Sequence, residues 1–340
     1  MPSGTGAGQL LLLGGIALLV LFLAGLVTGA IGTAILRGED ADPLLSKPKV
    51  HLPPQPIFPP SKRTEHILNL ASLTAAHPEG AEAQGKGHEE FKPLGMFEFA
   101  ITNTMLSAWL TTLLLIGLFV LGVRKAKMVP GRLQNLVEIA VEGLMGFVEG
   151  VIGRDVGRRV FPVIATIFLF VAFNAWIALF PFYPSLGFKD ADGAIAAQLF
   201  RSAGTDLNMP LALALVSFVF VEFWGVRILG LRYVGKFIPI GPFIHSIRRR
   251  QFFQAFIAIF VGLLEGISEL VRLVSFTFRL FGNMTAGEVL VLMAAFLVPF
   301  VATVFVYGLE LLVGLVQALI FAGLTLVFAT VAITAHEEEH

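Results

Sequence analysis

Long apolar runs and the polar stretches between them set out the elements of this chain. The first run extends from Gln9 to about Leu36 without a charged residue. It is long enough to cross a bilayer, which takes about 20 residues. No basic residue precedes it, so it reads as a retained span or anchor ahead of a cleaved leader. Residues 37–95 differ in kind: Pro43, Pro48, Pro53, Pro54, Pro56, Pro59 and Pro60 lead to a Gly/Glu/His stretch from His77 to His88. That composition predicts an irregular extramembrane linker with a short helix around His66–Leu73, its histidines too scattered for a metal site. A second span, about Phe99 to Val123, ends on Arg124, Lys125 and Lys127, and Pro130-Gly131 follows as a breaker. Residues 133–150 have helical periodicity, with Glu138, Glu142 and Glu149 on one face.

A third span is predicted over about Phe161–Phe180, closed by Pro181 and Pro184. A polar loop carrying Lys189, Asp190, Asp192, Arg201 and Asp206 leads to a fourth, about Leu207–Val226. The most basic stretch comes next, with Arg227, Arg232, Lys236, Arg248, Arg249 and Arg250. Two large apolar segments complete the chain, Gln251 to Val298 and, beyond Pro299, a run reaching Thr334. As helices they would be roughly 70 and 50 Å long, against a hydrocarbon core about 30 Å thick. Either each is broken, or both lie steeply tilted as a long hairpin; the sparse charge favours the hairpin. Lys/Arg excess over residues 124–132 and 227–250 places those loops in the cytoplasm. Residues 183–206, the turn at Pro299 and the linker then lie outside, and the tail His336–His340 inside.

Composition fixes the class. Of 340 residues 56% are hydrophobic and 14% charged, whereas a soluble domain carries roughly a quarter charged. The chain is expected to be an all-α polytopic membrane protein of about five to six membrane helices. Three regions follow: an N-terminal membrane segment (1–36), the Pro-rich linker (37–95) and a membrane domain (96–340) with its hairpin at 251–335. Lys plus Arg and Asp plus Glu both number 24, which argues against nucleic acid as a partner. No cysteine is present, excluding disulfides and thiolate chemistry, and no Walker-type loop occurs, so ATP is not expected to bind this chain. The terminal His336-Glu337-Glu338-Glu339-His340 fits a zinc-protease pattern but has no chain after it to supply a third ligand or a cleft; it reads as a solvated acidic tail. No cofactor or metal is expected.

With so few charges, their positions carry the chemistry. Glu265, Glu269, Arg272, Phe276, Arg279 and Asn283 follow one another at steps of three and four, so they share a helical face. Glu288 lies nine residues past Arg279 and points the opposite way on a straight helix. Arg279 is 20 residues from Pro299, too deep to reach either surface by snorkelling, and an ionised group there costs several kcal/mol unless it meets water or a carboxylate. It is read as functional, against the alternative of an ion pair with Glu265 or Glu269; Arg272 is equally suited to pairing internally. In the last segment Glu310 and Gln317 sit seven apart on one face, suited to relaying protons or to plain hydrogen bonding. Asn174 and Glu222 are isolated polar residues of spans three and four, Glu222 as consistent with an interfacial place as with a pathway.

The run Ser275-Phe276-Thr277-Phe278-Arg279-Leu280-Phe281-Gly282-Asn283-Met284-Thr285-Ala286-Gly287-Glu288, preceded by Leu264-Glu265-Gly266, resembles the signature of subunit a of F-type ATP synthases. Gln317-Ala318-Leu319-Ile320-Phe321 is similar to that family's pattern in the final helix. Weaker matches are Ile101-Thr102-Asn103, Pro130-Gly131-Arg132-Leu133-Gln134-Asn135, Thr205-Asp206-Leu207-Asn208 and the terminal Glu-Glu-His. Together they cover residues 99–340, and the first 95 match nothing. The resemblance implies a proton-conducting stator whose last two helices lie against a ring of c subunits, with b-type peripheral-stalk subunits, the rest of the ATP synthase and membrane lipid as partners. It implies that Arg279 faces the ring carboxylates, Asn283 and Gln317 neighbour it, Glu288 and Glu310 serve the outer half-channel, and Glu265 the cytoplasmic side. Glu269, Arg272, Glu222 and Asp206 are weaker candidates for the same path. Where well-known members carry a histidine at one of the positions of Glu288 and Glu310, this chain has two glutamates. A bacterial plasma membrane and a cytoplasmic C-terminus are expected. The alternatives are a self-contained proton- or ion-coupled transporter, for which no convincing internal repeat is found, and a membrane scaffold indifferent to residue 279.

Overall fold

The computed structural model describes residues 5–37, 54–61, 100–124, 126–180, 182–183, 185–189, 195–230, 233, 235 and 252–334. The short helix expected at His66–Leu73, the histidine stretch His77–His88, most of the basic run 231–250 and the tail His336–His340 lie outside the described residues. The chain falls into two compact units, Met1–Pro53 with Gly282–Gly314, and Pro54–Phe281 with Leu315–His340.

In the larger unit α3 (Asn103–Val123), α4 (Arg132–Ile152), α5 (Arg154–Ala178) and α6 (Asn208–Leu229) carry the fold. Thr102 starts α3, its side chain accepting from the Met105 N–H at 3.3 Å, which satisfies one of the donors a helix start leaves unpaired. Gly153, at φ 83°, is the single residue between α4 and α5. That backbone region suits glycine alone among common residues, and the chain reverses there without a loop. The third span was expected to begin at Phe161; the helix instead starts at Arg154 and runs through Pro162. Proline gives up its N–H bond to the carbonyl of the residue four before and crowds that carbonyl, and that residue, Arg158, is exposed, where its carbonyl can turn to solvent.

The inner face of α5 packs Val160, Ile164, Ile167 and Val171 almost fully out of reach, whereas Leu113, Leu121 and Val219 on α3 and α6 are exposed. An exposed row of leucines and valines on an apolar helix is the surface a lipid chain covers. Two short antiparallel strand pairs accompany the helices. β1 (Pro56–Phe58) pairs with β2 (Ile101–Thr102), and β3 (Gly187–Lys189) with β4 (Ile195–Gln198). One piece of the linker is therefore built in, with Gln55 and Ile57 buried.

The last two elements, α7 (Phe252–Leu297) and α8 (Val301–Thr334), contain 46 and 34 residues, about 69 and 51 Å at 1.5 Å per residue. Neither is broken, which removes the broken-helix alternative. In the smaller unit α1 (Thr5–Thr28) and α2 (Ala30–Arg37) are bent by 68° at Gly29, where the sequence pattern predicts one run. The turn of the hairpin lies in this unit too, with Phe300 at φ 68°. Among the described residues four helices are long and apolar enough to cross a membrane, five when the bent pair counts as one span. The protein is an all-α polytopic membrane protein.

Candidate functional site

In the larger unit, the polar face of α7 meets α8 and α6 through aromatic side chains. Phe276 packs on Phe321 at 4.9 Å and on Phe328 at 5.9 Å between ring centroids. This contact sets the antiparallel register: one turn along α7 from Phe276 is Arg279, and one turn back along α8 from Phe321 is Gln317. Gln317 is 2% exposed, and Leu280 and Phe321 are equally enclosed. Arg279 is half-buried. Its guanidinium carbon lies 5.8 Å from the Phe276 ring, and no carboxylate among the described residues pairs with it.

Arg272, two turns away on the same face, has a different environment. It forms an ion pair with Glu269, and its guanidinium carbon sits 3.7 Å over the ring of Phe328. Glu269 is 3% exposed, so its charge is held by this one arginine plus the polar groups nearby. The sequence left two partners open for the buried acids of α7; the structure pairs Glu269 with Arg272. The Glu222 carboxylate of α6 lies beside the phenol of Tyr233. Burial first, then the Glu222 carboxylate, pushes that phenol well above its ordinary range, so it stays a donor throughout the working pH range. Glu265 is half-buried one turn before Glu269. A cavity of about 10 Å³ lies beneath Arg272, lined by Ser217, Phe276 and Phe328 among others; that is about the space one water needs. Beside it the hydroxyls of Ser217 and Thr325 are 2.7 Å apart, tying α6 to α8.

At the other end of this unit Asp206 is 7% exposed. Its Oδ2 accepts from Thr104 Oγ1 at 2.8 Å, and its Oδ1 accepts from the backbone N–H and Nδ2 of Asn208, both at 3.0 Å. Neighbouring Asn103 exchanges bonds with Gln55 at 3.0 and 3.2 Å, and Gln55 Oε1 accepts from the Gln198 N–H at 3.0 Å. Both carboxylate oxygens of Asp206 are thus occupied in joining the starts of α3 and α6, and Asn103 beside them ties in the linker strand. This is the geometry of an anchor.

The smaller unit holds Asn283, Glu288 and Glu310. Asn283 is exposed and the two acids are half-buried. Glu310 reaches across to the α7 backbone at Gly287: a β-carbon there would collide with its carboxylate. Gly287, the residue before Glu288 in sequence, therefore leaves the space that the Glu310 carboxylate occupies, level with Glu288 along the hairpin. Sequence reasoning did not single out Gly287, Tyr233, Phe328, Thr104 or the Ser217–Thr325 pair. Hydroxyls and aromatic rings inside apolar runs carry no spacing signal, because their partners come from other helices; Gly287 alone had one, lying inside the signature run.

Residues 105–330 match the family described as ATP synthase A chain. Among similar proteins, the ATP synthase subunit a of Gloeobacter violaceus is 34% identical over 70% of this chain and 86% of its own. That of Desulfosudis oleivorans is 33% identical over 70% and 91%, and that of Moorella thermoacetica 28% identical over 72% and 98%.

Proposed function

The chain belongs to the ATP synthase A chain family, whose place is the proton-translocating membrane sector of that complex, and we propose that Arg279 is the barrier between its entry and exit paths. The observation that carries the proposal is the contrast between two arginines on one helical face. Arg272 is neutralised by Glu269 and covered by Phe328, while Arg279 is half-buried over the Phe276 ring with no carboxylate paired to it among the described residues. A cation kept in an apolar surrounding without a resident carboxylate needs one from elsewhere. The carboxylates of a rotating ring of c subunits meet that need one after another.

Arginine holds its proton at every relevant pH. It therefore draws a ring carboxylate into the ionised state without ever handing a proton across. Protons entering from outside pass by Glu288 and Glu310, neutralise a ring carboxylate and ride the ring, leaving on the cytoplasmic side past Glu265. Gln317, level with Arg279, is placed to steady the guanidinium by hydrogen bonding. The ion pair of Glu269 and Arg272, the Glu222–Tyr233 contact and Asp206 are assigned to holding helices rather than to the path. The Lys/Arg excess in the loops supports a cytoplasmic C-terminus, the bacterial relatives support a bacterial plasma membrane, and peripheral-stalk subunits are the partners that would hold the chain still.

The test is Arg279→Ala and Arg279→Lys in inside-out membrane vesicles. Both are expected to assemble and to lose proton-driven ATP synthesis; Lys fails because it can deprotonate when desolvated and lacks the planar fork. Near-normal ATP-driven acidification in the alanine variant would overturn the assignment.

A further inference from the structure

The N-terminal helix buries the wrong residues for an ordinary amphipathic helix. In α1 and α2 the enclosed positions are Gly25, Gly29, Gly32 and Thr33, while Leu12, Leu19, Leu23 and Val27 are exposed. In a membrane this inversion is informative: leucines give nothing by leaving lipid, whereas glycines let another backbone come close. That other backbone is present. A β-carbon on Gly25 would collide with the carbonyl oxygen of Pro299 and lie 3.2 Å from its carbonyl carbon and 3.5 Å from Phe300 Cδ2. On Gly29 it would collide with the carbonyl oxygen of Leu297 and lie 2.8 Å from Pro299 Cδ. Gly8, Gly14 and Gly15, on the same helix, have open space around them. The colliding atoms at Gly25 and Gly29 are main chain, which cannot swing aside as a side chain does.

The two glycines are one helical turn apart, and their contacts are Leu297, Pro299 and Phe300, the residues that join α7 to α8. Here the Gly-x-x-x-Gly face is occupied by the hairpin turn itself, with Cα–H groups against carbonyl oxygens. Glu288 and Glu310 hang nine residues from Leu297 and from Val301 respectively, about 14 Å down each helix. We infer that the N-terminal helix is a resident element of the protein that seats the hairpin turn, and that Gly25 and Gly29 are positioning residues for Glu288 and Glu310. The seat stands on the contacts alone; its effect on proton entry rests on the function proposed above. A leader removed before assembly would leave the turn without this seat.

The experiment puts p-benzoylphenylalanine in place of Phe300 in the full complex in membranes, with photo-crosslinking and peptide mapping. Crosslinks are expected within α1, around Gly25. Gly25→Ala with Gly29→Ala should lower their yield by roughly tenfold, the consequence of overpacking against main chain, and should slow proton-driven ATP synthesis at normal complex content. Gly14→Ala with Gly15→Ala should change neither. If the double variant at 25 and 29 does not accumulate, Gly25→Ala alone carries the same comparison. Crosslinks only to lipid or to other chains, a mature N-terminus beyond residue 37, or an unchanged yield in the Gly25/Gly29 variant would overturn the seat. A lost crosslink with unchanged ATP synthesis would overturn the positioning role. Failure of the Arg279 assignment would leave the crosslink in place, so the two readings fail separately.

Discussion

Gly287→Ala separates the position of a carboxylate from the stability of the helix that faces it. In an open helix interior alanine is favoured over glycine by about 1 kcal/mol. At residue 287 the new methyl would collide with Glu310 Oε2 and lie 2.8 Å from Oε1. Comfortable contact needs about 3.5 Å, so the carboxylate must retreat by about 1 Å. It is the mobile end of a long side chain, and leaving its rotamer costs about 0.5–1.5 kcal/mol. The two terms nearly cancel, and the complex should assemble normally. On the proposed path past Glu310, proton transfer tolerates the shift less well. Donor and acceptor must meet at about 2.6–3.2 Å, and a misplacement of about 1 Å can cost on the order of a hundredfold in rate. In inside-out vesicles driven by an acid–base step, Gly287→Ala should therefore lose about ten- to a hundredfold in ATP synthesis at unchanged complex content. Adding Glu310→Asp, shorter by one methylene, should restore part of it. Gly266→Ala on the same helix, where a β-carbon has open space, is the control and should be neutral. A normal rate in Gly287→Ala, or an equal loss in Gly266→Ala, would refute the reasoning.

Two further outcomes follow from the pairs assigned to structure. Arg272→Met should destabilise the protein by about 3–5 kcal/mol, since it strands a buried Glu269 carboxylate. The double variant Arg272→Met/Glu269→Leu should recover most of that in thermal melts and still conduct protons; a double variant that folds but blocks proton flux would place the pair on the path. Asp206→Ala removes an acceptor of three hydrogen bonds and should cost about 2–4 kcal/mol. Asp206→Asn should be mild in both melting and ATP synthesis, because the Thr104 hydroxyl can reverse its bond; a large loss of synthesis at normal stability would show that the ionised form matters.

What the sequence made legible was whatever a single helix determines by itself. Apolar run lengths gave the spans, Pro130-Gly131 and Pro299 gave the turns, and the three-and-four spacing placed Glu269, Arg272, Phe276 and Arg279 on one face before any neighbour was known. The bend at Gly29 and the early start of α5 were not legible. Glycine inside an apolar run is ambiguous until its contact is known, and Pro162 reads as a boundary unless the residue four before it is exposed. The linker was read as irregular, yet Gln55 is 2% exposed, held by Asn103 and Gln198 from distant parts of the chain. A hydrogen bond over that separation leaves no local pattern.

The same limit explains the two arginines. Periodicity makes Arg272 and Arg279 equivalent, since seven residues bring a helix back to nearly the same face. Their chemistry is divided by what α8 presents at each level. At Arg272 it offers the ring of Phe328, and α7 itself adds Glu269 three residues away, so the charge is met at home. At Arg279 the facing level of α8 offers Gln317, a neutral amide that can hydrogen-bond a guanidinium without cancelling it. A glutamate in place of Gln317 would supply a permanent counter-charge, and a passing carboxylate would then have to displace it. The neutral residue at 317 is therefore as much a part of the proposed barrier as the cation at 279, because it leaves the arginine's attraction for the ring to use.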